Sequence, residues 1–198
     1  MTWAAAAHPE VHAYRNWRGQ LVMHQHVDVT TMIEIPTAQG LFPLPHVLYD
    51  ADARDVPDLT AEPHRVKREP AATSGTEEWF QRAMPVATHV PGALPAMNAV
   101  MARSVAVRQR IGTVAVSAVG MFGGGGGFGI MPLTLFSLRV VAGGMAWRPK
   151  VADGQVAVGD VLDLTLPIDH NVVDGAPAAR FAAELRELIA RRRALPPV

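Results

Sequence analysis

The sequence lacks cysteine entirely over its 198 residues. This excludes disulfides, thiolate metal sites, iron–sulfur clusters and a cysteine nucleophile. It also lacks an excess of either charge, because eighteen Lys and Arg balance eighteen Asp and Glu, so no net field attracts nucleic acid or an anionic membrane. Long apolar runs are missing as well. The longest mildly apolar run, 130–141, is broken by Pro132 and Arg139. It falls short of the roughly 20 apolar residues that span a bilayer.

What is present fits a globular protein. Hydrophobic residues make up 49% of the chain and charged residues 18%, and a chain of this length can bury roughly 70% of its unfolded surface without a metal or disulfide. The first eight residues have no basic region followed by a long apolar core, so they do not form a secretory signal. We therefore expect a cytoplasmic protein.

Hydrophobic periodicity predicts a mixture of strands and helices. Strands are predicted over 20–35 (two strands or one long bent strand), 113–119, 133–145 and 161–168. Helices are predicted over 3–8, 52–67, 76–84, 94–110 and 176–193, with loops at 67–76 and 123–127. Segment 41–47 holds Pro43 and Pro45 and is predicted to be extended but not a central strand. The whole pattern predicts an α/β sandwich of one sheet faced by helices.

Two motifs have a functional and a structural interpretation. Gly124, Gly126 and Gly129 match G-x-G-x-x-G, but a dinucleotide site needs a helix to begin there. An extended apolar run follows instead, so a flexible turn or channel-lining loop is favoured. His24 and His26 would share one face of a strand, yet no third ligand follows at a suitable spacing. A strand-surface role is therefore favoured, and no metal site is expected.

His170 differs from the other histidines because it ends an apolar strand and precedes a helix. An imidazole with an ordinary pKa near 6.5 can act as a general base at neutral pH, and a strand end can hold it rigidly at a cleft. Asp174, followed by Gly175, could fix the turn, since Asp-Gly favours tight backbone geometry. A purely structural histidine in a turn remains the alternative.

Four stretches then resemble one family in the correct order. Their sequences are Asp169-His170-x-x-x-Asp174-Gly175-Ala176 followed by Ala179-Arg180-Phe181, His8-Pro9-Glu10-Val11-His12-Ala13 ("HPxxNA"), Thr37-Ala38-Gln39-Gly40-Leu41-Phe42-Pro43-Leu44 ("dTxxGLxxPV") and the segment 112–123 ("GTFTISNLGMFG"). They resemble the 2-oxoacid dehydrogenase acyltransferase family, the catalytic domains of dihydrolipoamide acyltransferases. The resemblance runs from the first residues to the last helix.

The resemblance implies a two-layer sandwich like that of chloramphenicol acetyltransferase, a mixed sheet faced by helices, with the N-terminal part of the fold missing from this chain. It also implies direct acyl transfer. His170 would deprotonate the acceptor, and Ser117 would donate a hydrogen bond to the tetrahedral oxyanion. These two residues would come from different chains of a homotrimer, so a monomer should be inactive. Asp174 would hold the site through an ion pair with an early arginine, whose segment is missing.

Residues 1–198 are expected to form a single catalytic domain, since no lipoyl or peripheral-subunit-binding domain is recognisable. Asn171 replaces the family's common Arg, and the family's "INPPQ" is absent after the glycine run. These departures favour transfer of an acyl group, with acetyl preferred, between CoA and a hydroxyl or thiol of a small molecule, with CoA as a substrate and no covalent cofactor. Two alternatives remain: a 2-oxoacid dehydrogenase core served by a lipoyl domain in trans, and a non-catalytic trimeric scaffold. The residues that contact CoA are not predicted.

Overall fold

A computed structural model describes residues 1–37, 40–69, 89–120, 125–131, 135–152 and 154–191. The helices in these ranges are α1 (Thr2–Ala7), α2 (Val56–Arg68), α3 (Ala93–Arg103), α4 (Val105–Gln109) and α5 (Gly175–Ala190), with a 3₁₀ turn at Pro9–His12. The strands are β1 (Tyr14–Arg15), β2 (Leu21–Val22), β3 (Val29–Thr37), β4 (Gly40–Leu48), β5 (Val114–Ala118), β6 (Arg139–Ala152) and β7 (Gln155–Thr165).

The main sheet has five strands in the order β4-β3-β5-β6-β7, while β1 and β2 form a separate pair. Strand β5 runs parallel to both β3 and β6, and the hairpins β3–β4 and β6–β7 are antiparallel. The expected mixed sheet is therefore confirmed. β4 lies at the edge of the sheet. Proline has no backbone N–H to donate to a neighbouring strand, so Pro43 and Pro45 are tolerated in an edge strand but would not be in a central one.

The main core lies between one face of the sheet and the helices α1 and α5. Alternate strand residues point to this face, and Val114 and Val140 pack there with Phe181 and Leu185 of α5. Phe181 and Leu185 stand four residues apart and so occupy one stripe of the helix. The helix predicted over 176–193 is therefore confirmed as α5. Because α5 packs on the sheet, it holds the end of the segment that connects β7 to α5.

Three predictions from the sequence are wrong in detail. The helix predicted over 94–110 divides at Ser104, whose backbone is extended and whose hydroxyl accepts a hydrogen bond from the Val107 amide and so caps α4. The strand predicted over 133–145 begins only at Arg139 and runs to Ala152, because its pairing with β7 continues to the hairpin end. His24 and His26 lie between β2 and β3 and not on a strand.

The predicted helix 76–84 and the loop over 70–76 lie outside the described residues. Of the helices that the structure does describe, none is long and apolar enough to cross a membrane.

Candidate active site

His170 lies in the connection between β7 and α5. After β7 the chain still contacts the sheet, because Ile168 bridges Leu138 and the Asp169 amide donates to the Ser137 carbonyl at 2.8 Å. The chain then turns away, and α5 begins at Gly175. His170 is therefore the first residue beyond the last backbone contact with the sheet, which places its side chain at the sheet's end.

Asp169 organises this turn. Its carbonyl accepts hydrogen bonds from the amides of Val172 and Val173, both at 3.0 Å. Its carboxylate oxygen Oδ1 accepts from the Asn171 backbone amide at 2.9 Å and from the Asn171 side-chain amide at 2.8 Å. Asp side chains commonly bond the backbone two residues ahead in this way. The segment 169–173 is thus held by four hydrogen bonds that converge on one residue.

The imidazole of His170 has a defined tautomer. Its Nδ1 lies 2.8 Å from the Val173 carbonyl oxygen. Since a carbonyl can only accept, Nδ1 carries the hydrogen and Nε2 keeps a lone pair. The residue is exposed, so Nε2 is available to take a proton from an incoming group. This is the arrangement that a general base requires.

Asp174 is the N-cap residue of α5, but its carboxylate does not cap the helix. Only its backbone carbonyl contributes, accepting from the Ala178 amide at 3.2 Å. The side chain is exposed and has no ion pair within the part of the chain that the structure describes. Its expected role through an arginine stays a prediction. The role of Asp169 in holding the turn was not predicted from the sequence. Asp169 stands two residues before Asn171, and this spacing is typical of an Asp side chain that bonds the backbone ahead of it.

Ser117 lies near the end of β5, opposite Val141 of β6, which in turn lies opposite Thr165 of β7. Because Val114 and Val116 pack in the main core, the alternation along the strand directs Ser117 to the other face of the sheet. Its side chain is partly buried.

One chain does not bring His170 and Ser117 together. Ser117 is level with Thr165 across the sheet. Asp169, the last residue whose backbone contacts the sheet, lies four residues further along the chain than Thr165, and His170 follows it. At about 3.3 Å per residue this is about 13 Å along the strands, and two strand spacings separate the residues sideways. Any site that uses both side chains must combine two chains.

The described part of the glycine run, 125–127, packs against the sheet near Ser117. Gly127 pairs with Gly144, and its amide donates to the Asp163 carboxylate at 2.9 Å. Arg148 donates to the same carboxylate at 3.0 and 2.7 Å, and together these donors lower the pKa of Asp163. A Cβ on Gly144 would lie 2.5 Å from Gly126 carbon atoms. No helix begins within 125–131, so these residues do not have the geometry of a dinucleotide loop.

A cleft of about 390 Å³ borders the His170 turn. Its lining residues come from four parts of the chain, namely Tyr14, Arg15, Arg108, Leu135, Phe136, Ser137, Asp169, Asn171 and Val172. Tyr14 is almost fully buried and lies between the Arg108 guanidinium, 4.0 Å from its ring centre, and the His24 ring, at 5.6 Å. Within the described residues, no group of three His, Asp or Glu side chains could hold a metal ion.

The stack continues from His24 to His12, whose ring centre lies 6.1 Å away. Burial, followed by the nearby His12 and Arg108, lowers the pKa of His24 to about 4. Burial also lowers the pKa of His12. These two histidines are therefore neutral parts of the packing beneath the cleft, which rules out the strand-surface role expected for His24.

The C-terminal half of the chain and its mixed sheet match one class of protein, the catalytic domains of acyltransferases. The model of the 2-oxoacid dehydrogenases acyltransferase (catalytic domain) family matches residues 98–195. Through this C-terminal half the chain belongs to that family. The matched half includes Ser117, His170 and Asp174.

The relatives agree with this assignment. A dihydrolipoyllysine-residue acetyltransferase component of the pyruvate dehydrogenase complex from Rickettsia felis is 33% identical over 78 residues, covering 33% of this chain and 19% of the relative. The dihydrolipoamide acetyltransferase (E2p) of Azotobacter vinelandii has a TM-score of 0.64 at 21% identity, over 97% of this chain and 65% of that structure. A probable dihydrolipoamide acetyltransferase from Listeria monocytogenes has a TM-score of 0.60 at 18% identity, over 95% and 65%. The expected fold is thus confirmed, and this chain spans about two thirds of the length of these solved structures.

Proposed function

We propose that this protein is an acyltransferase that moves an acyl group, with acetyl preferred, between CoA and a hydroxyl or thiol of a small acceptor. The observation that carries the proposal is the exposed His170 residue, whose imidazole donates its Nδ1 hydrogen to the Val173 carbonyl and so keeps a lone pair on Nε2. A turn that only needed a structural histidine would not have to leave that residue exposed at the sheet's end. We further propose that the chain forms a single catalytic domain.

The proposed reaction uses the imidazole twice. Nε2 removes the proton of the acceptor, and the acceptor oxygen or sulfur attacks the carbonyl carbon of the acyl-CoA thioester. The tetrahedral intermediate carries its negative charge on the former carbonyl oxygen, where the Ser117 hydroxyl donates a hydrogen bond. When the intermediate collapses, the carbon–sulfur bond breaks, and the CoA thiolate takes the proton from the imidazolium.

The site proposed here lies between subunits of a homotrimer, because one chain holds His170 and Ser117 apart. The β6–β7 hairpin also supports assembly, since one of its faces is apolar and exposed. The apolar side chains on this face include Met145, Trp147, Val151, Val156, Val158 and Leu162, which are 44–77% exposed, and one charged residue, Asp160, lies among them opposite Trp147. A contiguous apolar surface of this kind marks a protein interface.

The spacing of three residues in a relative adds support. The Azotobacter vinelandii structure addresses the roles of a serine, a histidine and an asparagine in the catalytic mechanism of that enzyme. That histidine and asparagine stand four residues apart, as His170 and Asp174 do, and the serine precedes the histidine by nearly the separation found between Ser117 and His170.

A second candidate keeps the chemistry but changes the acceptor. The relative from Rickettsia felis is a component of the pyruvate dehydrogenase complex, which favours a dihydrolipoyl group, supplied in trans, as the thiol. Transfer of an acetyl group to or from free dihydrolipoamide or an added lipoyl domain would select this candidate. Transfer to small hydroxyl compounds alone would select the first, and CoA binding with no transfer to any acceptor would favour the scaffold.

The first test is His170→Ala, measured as thiol release from acetyl-CoA in the presence of acceptors. Loss of the base should lower turnover at least a hundredfold, within the ~10²–10⁴ range of general-base catalysis, while CoA binding is retained. His64→Ala is the matched control, because His64 is an exposed histidine on α2. Wild-type turnover in the His170→Ala protein would contradict the proposal.

A further inference from the structure

The cleft beside the His170 turn contains two arginines that no carboxylate neutralises directly. The Arg108 guanidinium lies over the Tyr14 ring and donates a hydrogen bond to the Leu135 carbonyl. Arg15 uses its Nε to donate to the Gly19 carbonyl at 3.1 Å. Within the described residues neither takes part in an ion pair, so most of their N–H donors remain available.

Arg108 is the unusual member of this pair because it is largely shielded from water. Burial lowers the pKa of Arg108, and only Tyr14 and Asp169 act in the opposite direction. Charged side chains that lose their hydration are normally paired. Asp169 compensates Arg108 only at a distance, and one of its carboxylate oxygens already accepts both hydrogen bonds from Asn171.

The cleft is also placed to affect substrate binding. Asp169, Asn171 and Val172, on either side of His170, form one of its walls. With two arginines against one aspartate, the cleft carries a net positive charge. The arginine fork suits the oxygens of a carboxylate or a phosphate, to which it can donate two parallel hydrogen bonds.

We propose that this cleft binds an anionic group of a substrate, a carboxylate or a phosphate, and that Arg108 is its main recognition residue. The inference rests on the proposed function, since it assigns the cleft to a reactant whose acyl transfer occurs at His170. The anion supplies the partner that Arg108 lacks. It can come from a phosphate of CoA or from a carboxylate on the acceptor, in which case the acceptors are hydroxy acids or thiol acids.

The test compares the full-length wild-type protein with Arg108→Gln and Arg108→Lys by isothermal titration, without turnover. The probes are inorganic phosphate, CoA, pantetheine, glycolate and methyl glycolate. Loss of charge-assisted hydrogen bonds should weaken binding of the anionic probe about tenfold or more in Arg108→Gln, with a smaller loss in Arg108→Lys, which keeps the charge but not the fork. Weaker CoA binding with unchanged pantetheine binding identifies the phosphate. Weaker glycolate binding with unchanged methyl glycolate binding identifies the carboxylate.

Arg103→Gln is the matched control, because Arg103 also lies over an aromatic ring, Trp17 at 5.5 Å, but outside the cleft. It should bind every probe like the wild type. The inference is overturned if the wild type binds none of the anionic probes, or if folded Arg108→Gln binds them all unchanged. If Arg108→Gln does not fold, Arg15→Gln replaces it under the same criteria. Binding that depends on Arg108 without any acyl transfer would reject the proposed function while leaving this inference intact.

Discussion

At the scale of single residues, the exposed imidazole of His170 depends on a turn that other residues build. The Val173 carbonyl that receives the Nδ1 hydrogen is itself placed by the bond from the Val173 amide to the Asp169 carbonyl. Asn171 tightens the same turn through Asp169. We therefore expect Asn171, which replaces the family's common arginine, to act as a positioning residue for His170 without touching the reacting atoms.

Asn171→Ala removes one hydrogen bond from the turn and leaves the base in place. A neutral hydrogen bond contributes about 1 kcal/mol, so we expect kcat to fall about fivefold. Steady-state kinetics over a range of pH would measure this, and the shape of the pH profile should be retained. Asn171→Asp should be worse, because it places a second carboxylate beside Asp169. Wild-type kcat in both variants would contradict the role of this residue.

The sequence predicts a catalytic role for His170 because its motif is local: a strand end, a turn and a helix start follow one another within a few residues. Partners that are distant in sequence could not be identified in this way. His8 bonds Glu184 at 2.8 Å, and His46 bonds Glu62 at 2.8 Å, yet neither pair has a recognisable spacing. The cleft is a similar case, since Arg108 and Tyr14 meet only after α4 and β1 have folded onto the sheet.

At the scale of elements, periodicity predicted α5 and strands that overlap β3, β5, β6 and β7, because each has an apolar face directed to the core. The order of these strands in the sheet was not predicted. Element ends were less predictable. Ser104 ends α3 because its side chain caps α4. The apolar periodicity continues through this residue, so the pattern alone predicted one helix. The extension of β6 to Ala152 depends on register with β7, and a single segment carries no information about its partner strand.

The stack formed by His12, His24 and Tyr14 leads to a prediction about stability. The pKa of His24 is about 4 in the folded protein against an ordinary 6.5, so the unfolded chain binds the proton first as pH falls. Between pH 6.5 and pH 4 the unfolded state holds more protons, and the free energy of unfolding therefore decreases with falling pH. His12 acts in the same direction. Allowing for the partial exposure of the ring, we expect His24 to account for roughly 1–2 kcal/mol.

Urea unfolding at pH 7 and pH 4.5 would measure this loss. His24→Phe keeps an aromatic ring against Tyr14 but cannot be protonated, so its stability should fall less between the two pH values than that of the wild type. His26→Phe changes a histidine outside the stack and is the control. An equal loss in His24→Phe and wild type would show that His24 does not cause the acid sensitivity.

At the scale of the whole molecule, the proposed catalytic pair is divided between two ends of one sheet. Ser117 stands level with Thr165, and His170 lies five residues beyond Thr165 along the chain. In the proposed homotrimer, the His170 end of each subunit meets the Ser117 face of the next subunit. Such a head-to-tail contact between identical chains forms a closed ring. Every active site in such a ring takes one residue from each of two chains.

This geometry predicts that two inactive proteins restore each other's activity. His170→Ala should lose at least a hundredfold in turnover, and Ser117→Ala should lose ~10²–10³. When the two variants are unfolded, mixed in equal amounts and refolded together, a site that takes His170 from a Ser117→Ala chain and Ser117 from a His170→Ala chain is intact. Random assembly makes about a quarter of the sites intact, so turnover should rise to about a quarter of the refolded wild-type value. The control is each variant refolded alone, which should stay inactive. Native mass spectrometry would establish that trimers of mixed composition have formed. If they have, and the mixture is no more active than the mean of the two variants, the two side chains do not serve one site across the interface.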